Sequence, residues 1–229
     1  MLTGIGTRPT LAAMTVTAEQ LESPTLALDV EKCQELLAQE AEERQRFRDA
    51  VQPHEKAEFI NGRIIMHSPA RARHTEVRGL IERILGAYVD SIEFGLIASE
   101  KALCGFTRND YEPDIVWFGD EKASTIGPDT VVFPVPDLAV EVLSPGTTHT
   151  DRGVKFIDYA AHGVQEYWIV DPDSQVVEQY RLEGESYALA TKLKRGDFKP
   201  LCLSSLVIPH AALFDRKANL DFLRQLLAG

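Results

Sequence analysis

Apolar positions along the chain recur with two different periods, and the switches between them outline its elements. Between Ala72 and Asp90, the residues Val77, Leu80, Ile81, Ile84, Leu85 and Tyr88 follow helical spacing, with His74 on the same stripe one turn earlier. This predicts an amphipathic helix whose first turn directs His74 towards the core. Between Asp137 and Ser144 the spacing is that of a strand, with Leu138, Val140 and Val142 on one face and Ala139 and Leu143 on the other. Both faces are apolar, as in a central strand covered on each side. Glu141 stands in the middle of it.

The remaining pattern fills in around these two segments. Asp29 to Ala50 reads as a helix with Asp29 as N-cap, ended by Pro53. Ala57–Ile60 and Arg63–Met66 flank Asn61-Gly62, a strong hairpin signal. Strands are predicted over Ile92–Ser99, Lys101–Phe106 and Tyr111–Phe118, the last with Pro113 at its entrance. A helix from Thr148 to His162 is predicted to be capped by Thr148 and Asp151 and closed by Gly163. Further strands read over Glu166–Val170, Val176–Leu182 and Tyr187–Leu193, with a short one near Leu201 and a final helix from Arg216 to Leu227. Met1 to Pro24 shows no sustained period and reads as loosely docked. The order predicts an α/β (α+β) fold, a mixed β-sheet flanked by helices. Residues 1–52 form a partly helical N-terminal extension and residues 53–229 the main domain.

Composition narrows the function classes. A chain of 229 residues at 44% hydrophobic content can bury an ordinary core. Its net charge of −11 argues against a broad non-specific nucleic-acid surface. That charge fits a divalent-cation site and equally a plain soluble protein. No apolar run approaches the ~18 residues of a membrane span, and no apolar leader opens the chain, so a cytoplasmic protein without membrane contact is expected. Cys33, Cys104 and Cys202 lack Cys-x-x-Cys spacing and read as reduced thiols.

Glu141 is the chemical anomaly. Burying its carboxylate costs several kcal/mol (order of magnitude) unless a cation, a proton or hydrogen bonds offset the loss. A metal or catalytic role and a satisfied core ion pair both answer that. Asp114 opens another apolar run, Ile115–Phe118. If the two strands are neighbours, both carboxylates meet at one sheet edge and suit Mg²⁺ or Mn²⁺, with the carbonyl of Val142 as a third ligand. Lys155, one turn into the next helix, is a cation for the nucleophile, or pairs with Asp151 or Asp158 along the helix. His74 reads as a ligand or proton carrier, or as a satisfied core histidine. Glu58 belongs to the site rim or to a solvated hairpin. Asp137 reads as a strand-entry residue and Asp171 as a turn residue before Pro172.

The blocks Glu58-Phe-Ile-Asn-Gly62, Ser68-Pro69 with His74, Glu112-Pro-Asp114, Pro136 to Pro145, Asp151-Arg-Gly-Val-Lys155 with Tyr159, and Gly163 to Pro172 together resemble the Uma-two family. Its members are described as "putative restriction endonucleases" of bacteria within the PD-(D/E)XK nuclease superfamily. The resemblance spans Ala57 to Ile208 and implies a restriction-endonuclease-like core. It implies that Asp114, after Pro113, and Glu141 are metal ligands, with Val142 as the spacer. Leu143 stands where the superfamily motif has lysine, and the resemblance implies a migrated lysine, Lys155. His74 is the preferred auxiliary group over Glu76 and Glu82, which match no motif closely. The activity implied is a Mg²⁺-dependent endodeoxyribonuclease, with Mn²⁺ as an alternative ion, DNA as substrate and a homodimer if both strands are cut. The rival is a nuclease-like fold used for binding or assembly, which the net charge of −11 and the lack of a DNA-reading module favour. A small-molecule-binding α/β protein ranks last, because no Gly-rich phosphate loop is present.

Overall fold

The structure, a computed structural model, describes residues 16–52 and 54–228. The reading of Met1 to Pro24 as loosely docked falls mainly on residues outside this range, as does Pro53. The helices are α1 (Ala18–Leu21), α2 (Leu26–Ala50), α3 (Ala72–Ile92), α4 (Asp120–Ala123), α5 (Thr148–Asp151), α6 (Val154–Ala161) and α7 (Arg216–Leu226). The strands begin with β1 (Ala57–Ile60), β2 (Arg63–Met66), β3 (Leu96–Ser99), β4 (Leu103–Gly105), β5 (Asp110–Tyr111), β6 (Ile115–Phe118) and β7 (Val132–Phe133). They continue with β8 (Leu138–Val142), β9 (Glu166–Asp171), β10 (Val176–Glu183), β11 (Ser186–Leu193), β12 (Asp197–Phe198) and β13 (Ile208–Pro209).

A six-stranded sheet in the order β11-β10-β9-β8-β6-β3 forms the centre. Within it β8 and β9 run parallel, joined by α5 and α6 as one crossover unit, while β8 and β6 run antiparallel. A five-stranded sheet, β2-β1-β5-β4-β7, stands beside it. The alternation read in β8 sorts its side chains as the pattern requires. Leu138, Val140 and Val142 enter one core with the buried stripe of α3, and Ala139 and Leu143 enter the other with Tyr159 and Tyr167. Glu141 shares the second face and is 3% exposed.

Several boundaries differ from the sequence pattern for definite reasons. The run Tyr111–Phe118 is two strands in different sheets, because Glu112-Pro113-Asp114 leaves the ladder and Pro113 has no N–H to give it. The helix predicted over Thr148–His162 is broken at Gly153, whose backbone (φ −113°, ψ −102°) is not helical. A Cβ there would lie 2.7 Å from the His149 carbonyl oxygen. Thr147 replaces Thr148 as the cap residue of α5. Ile92 completes α3 and leaves the following strand to begin at Leu96. Thr25, in place of Asp29, caps α2, and Asp29 instead accepts the Thr25 hydroxyl at 2.9 Å. The segment near Leu201 is a turn, and the short strand lies at Asp197–Phe198. Cys33, Cys104 and Cys202 are free thiols, as expected. Among the described residues no helix is long and apolar enough to cross a membrane.

The β1–β2 hairpin matches its prediction residue for residue. Asn61 (φ 49°) and Gly62 (φ 74°) are both left-handed, the geometry of a type I′ turn. The turn is pressed against α2, since a Cβ on Gly62 would meet Glu40 Oε1 at 2.8 Å. Glu40 in turn holds Arg108 through bonds of 2.6 and 2.7 Å. Gly62→Ala therefore combines a left-handed strain of about 1 kcal/mol with displacement of that ion pair. A loss of about 1–2 kcal/mol in urea unfolding is expected. A change below a few tenths of a kcal/mol would show that the turn relaxes freely.

Candidate active site

The point where the chain leaves one sheet for the other gathers the unusual charges. Asp114 lies there, between β5 and β6, and is 3% exposed. Its Oδ2 accepts the backbone N–H of Val142 at 2.9 Å and faces His74 Nε2 at 3.0 Å. Its Oδ1 accepts Lys56 Nζ at 2.8 Å. A side-chain oxygen thus takes the ladder position that the broken strand abandons, tying Asp114 to the residue next to Glu141. The β6–β8 pairing ends at Ile115 with Val140, and beyond it the Val142 N–H turns to the Asp114 side chain. In an antiparallel pair, the N–H and C=O of a residue face the same neighbour. The Val142 carbonyl therefore lies on the same side of β8 as its N–H, the side that faces Asp114.

Glu141 meets the first turn of α6. Both of its hydrogen bonds go to Oε1, from Lys155 Nζ at 2.9 Å and from the Tyr159 hydroxyl at 3.0 Å. Lys155 is 2% exposed and also lies 2.9 Å from Glu58 Oε1 and 3.4 Å from Asp151 Oδ1. Glu58, in β1, is fully buried; its Oε1 accepts the Glu112 N–H at 2.9 Å and its Oε2 faces His67 Nε2 at 3.0 Å. The Asp151 carboxylate makes only the longer contact with Lys155 among the charged groups described, and among the described residues His74 Nδ1 has no hydrogen-bond partner. All the sequence-derived candidates thus converge: Asp114, Glu141, Val142, Lys155, His74 and Glu58.

Sequence reasoning missed Lys56 and His67; Lys56 carried no signal, because its partner lies 58 residues away. The pairing of Lys155 with Asp151 four residues before it, read there as the alternative to a catalytic role, is present at 3.4 Å. Lys155 does not pair with Asp158, which accepts Tyr111 OH and Asn109 Nδ2 at 2.7 Å each. Glu76 and Glu82 lie outside the cluster, paired with Arg216 and Arg78. Asp137 accepts the Gly119 N–H and Lys122, and Asp171 accepts the Ser174 and Asp173 N–H groups, so both serve their local loops.

The electrostatics follow from one ammonium shared among three acids. Burial pushes the Glu58 carboxyl up, but the Lys155 charge and the His67 bond outweigh it and hold the group at about 2. Burial likewise dominates Glu141, and Lys155 does not cancel it, because Asp151, Asp114 and Glu58 add repulsion; its carboxyl is pushed up to about 8. Asp151 is raised for the same reason, burial first. Asp114 is held well below the usual carboxylate range, since His74 and Lys56 overcome its burial. Lys56 and Lys155 are both raised, because the surrounding carboxylates outweigh their desolvation.

The cluster therefore carries acid in excess: Glu58, Asp114, Glu141 and Asp151 against Lys56 and Lys155. Asp114, Glu141 and the Val142 carbonyl form an all-oxygen donor set, which suits a hard divalent cation and leaves positions for water. Among the described residues no group of three His, Cys, Asp or Glu side chains is arranged to hold a metal. The fit rests on two carboxylates plus a backbone oxygen.

The sequence pattern of the Uma2 family, described as "Putative restriction endonuclease", matches residues 40–209. The chain belongs to the Uma2 family. An uncharacterised protein of the cyanobacterium Synechocystis is 30% identical over 141 residues, covering 61% of this chain and 79% of its own. The fold matches the crystal structure of a "putative nuclease belonging to DUF820" from Anabaena variabilis, with a TM-score of 0.64. At 22% identity, that match covers 73% of this chain and 94% of the other. The expected restriction-endonuclease-like fold is thereby borne out. The Uma2 match begins inside α2, so the half of α2 that docks on the domain through Arg48 and Asp110 lies within it.

Proposed function

We propose that this Uma2 protein is a divalent-metal-dependent endodeoxyribonuclease that hydrolyses phosphodiester bonds in DNA. The observation that carries the reading is the gathering of Asp114, Glu141 and Lys155, from the β5–β6 link, β8 and α6, where the chain passes from one sheet to the other. The family's description as restriction endonucleases and the restriction-endonuclease-like fold support it. Asp114, Glu141 and the Val142 carbonyl would hold Mg²⁺, or Mn²⁺ in its place. When bound, the cation supplies Lewis acidity and neutralises charge at the scissile phosphate.

The chain's own groups do the rest. His74 and the Val142 N–H fix the Asp114 carboxylate in one orientation. Glu58 anchors Lys155 from below, and Tyr159 steadies Glu141. The loosest partner of Lys155 is Asp151 at 3.4 Å, so a donor can turn from there to orient an attacking water.

The test is plasmid nicking by the pure protein with Mg²⁺, with Mn²⁺ and with EDTA. Cleavage in either metal and none in EDTA is expected. Cleavage undiminished by EDTA, or no cleavage with any divalent ion on single- or double-stranded DNA, would count against the proposal.

A further inference from the structure

Both acids proposed as metal ligands already hold an ammonium group, but the two lysines are held very differently. Lys155 is fully enclosed, with Glu58, Glu141 and Asp151 around it. Among the described residues Lys56 has one carboxylate partner, Asp114 Oδ1 at 2.8 Å. Its side chain is 30% exposed, against 11% for His74, 4% for Asp114 and Glu141 and 2% for Lys155. It stands at the outer end of the cluster, in the segment that leads into β1. Lys56 is thus the charged group beside Asp114 with both a path to solvent and a flexible stem.

We infer that Lys56 is a built-in placeholder for the divalent cation, holding Asp114 Oδ1 in the metal-free protein and giving that oxygen up when the metal arrives. The inference rests on the proposed metal site and adds a regulating residue to it. Its physical basis is the charge balance. Without a cation, the buried Asp114 needs a positive partner to remain ionised and in place. With a dication bound, the same ammonium is a like charge competing for the same oxygen. An oxygen on a mobile lysine can be exchanged, whereas the bonds of Asp114 to the Val142 N–H and to His74 keep its orientation meanwhile.

Competition predicts an order that a merely structural salt bridge would not give. In calorimetric titration of the full chain with Mn²⁺, without DNA, Lys56→Met is expected to bind about tenfold more tightly than wild type. Lys56→Arg, whose fork can hold the carboxylate through two bonds, is expected to bind more weakly than wild type. Thermal unfolding in EDTA accompanies each variant to show that it is folded. If wild type binds Mn²⁺ and Lys56→Met binds equally or more weakly, the placeholder role is overturned while the metal site stands. If neither protein binds Mn²⁺, the metal-dependent nuclease reading itself fails, and this inference with it. Binding by Lys56→Met alone is the extreme form of the expected result.

Discussion

Replacing Glu141 by Gln is expected to reduce metal-dependent plasmid nicking by on the order of a thousandfold or more while leaving the protein folded. Amide for carboxylate keeps the shape and the acceptor for Lys155 and Tyr159, which both bond Oε1. It removes the charge on which the proposed cation depends. The fold does not need that charge, because the carboxyl sits at about 8, where burial and neighbouring acids disfavour ionisation. The sign of the stability effect follows. A group raised from 4.5 to about 8 leaves stability intact below pH 4.5 and lowers it as pH rises towards 8. In EDTA, Glu141→Gln is therefore expected to gain on wild type in thermal midpoint across that window. A variant that nicks plasmid like wild type would exclude Glu141 from the chemistry. One that unfolds far more easily at pH 8 would reverse the electrostatic account.

Lys155→Met is expected to have the largest effect on stability. It leaves Glu58, Glu141 and Asp151 buried with no ammonium group among them. Removing one partner of a buried ion pair costs about 3–5 kcal/mol, because the remaining charge has no compensation. The loss should depend on pH in a definite direction. Glu58 is held at about 2, so its pairing stabilises the fold above the ordinary 4.5 and fades as pH falls towards 2. The deficit of Lys155→Met is thus full at neutral pH and shrinks in acid. Adding Glu58→Gln to Lys155→Met should restore part of the stability at pH 7. Urea unfolding of the single and double variants at pH 7 and pH 4 measures both statements. A deficit under 1 kcal/mol at pH 7 would mean that the three acids are already neutral without Lys155.

Local pattern carried a good deal of this molecule. Asn61-Gly62 between two four-residue runs specifies a left-handed two-residue turn, and the hairpin has those bounds. The α3 stripe from Val77 to Tyr88 is buried along its length. The two-sided apolar pattern of β8 marks a central strand, and Glu141 within it marks a carboxylate that needs a partner, since the cost of burying it is a local property of the residue. The failures are equally physical. The run Tyr111–Phe118 keeps strand-like composition throughout, and only the geometry of two sheets shows that Glu112 to Asp114 is the passage between them. Gly153 breaks a helix whose apolar period continues past it, through a non-helical backbone that leaves no room for a Cβ beside the His149 carbonyl.

The sequence by itself determined the β1–β2 hairpin, the α3 helix and the central strand β8, the anomalous acids Asp114 and Glu141, and the absence of a motif lysine at Leu143. These depend on near neighbours along the chain and on the chemistry of single side chains. Tertiary structure alone decided which charges meet. It placed Lys155 between Glu141 and Glu58, which lie in different sheets, turned Asp151 inward and set Lys56 on Asp114 across 58 residues. Charge interactions reach through space and weaken with distance and screening, so no linear pattern records them. Which carboxyl burial raises, and which ammonium pairs with Asp114, follows from how the sheets pack.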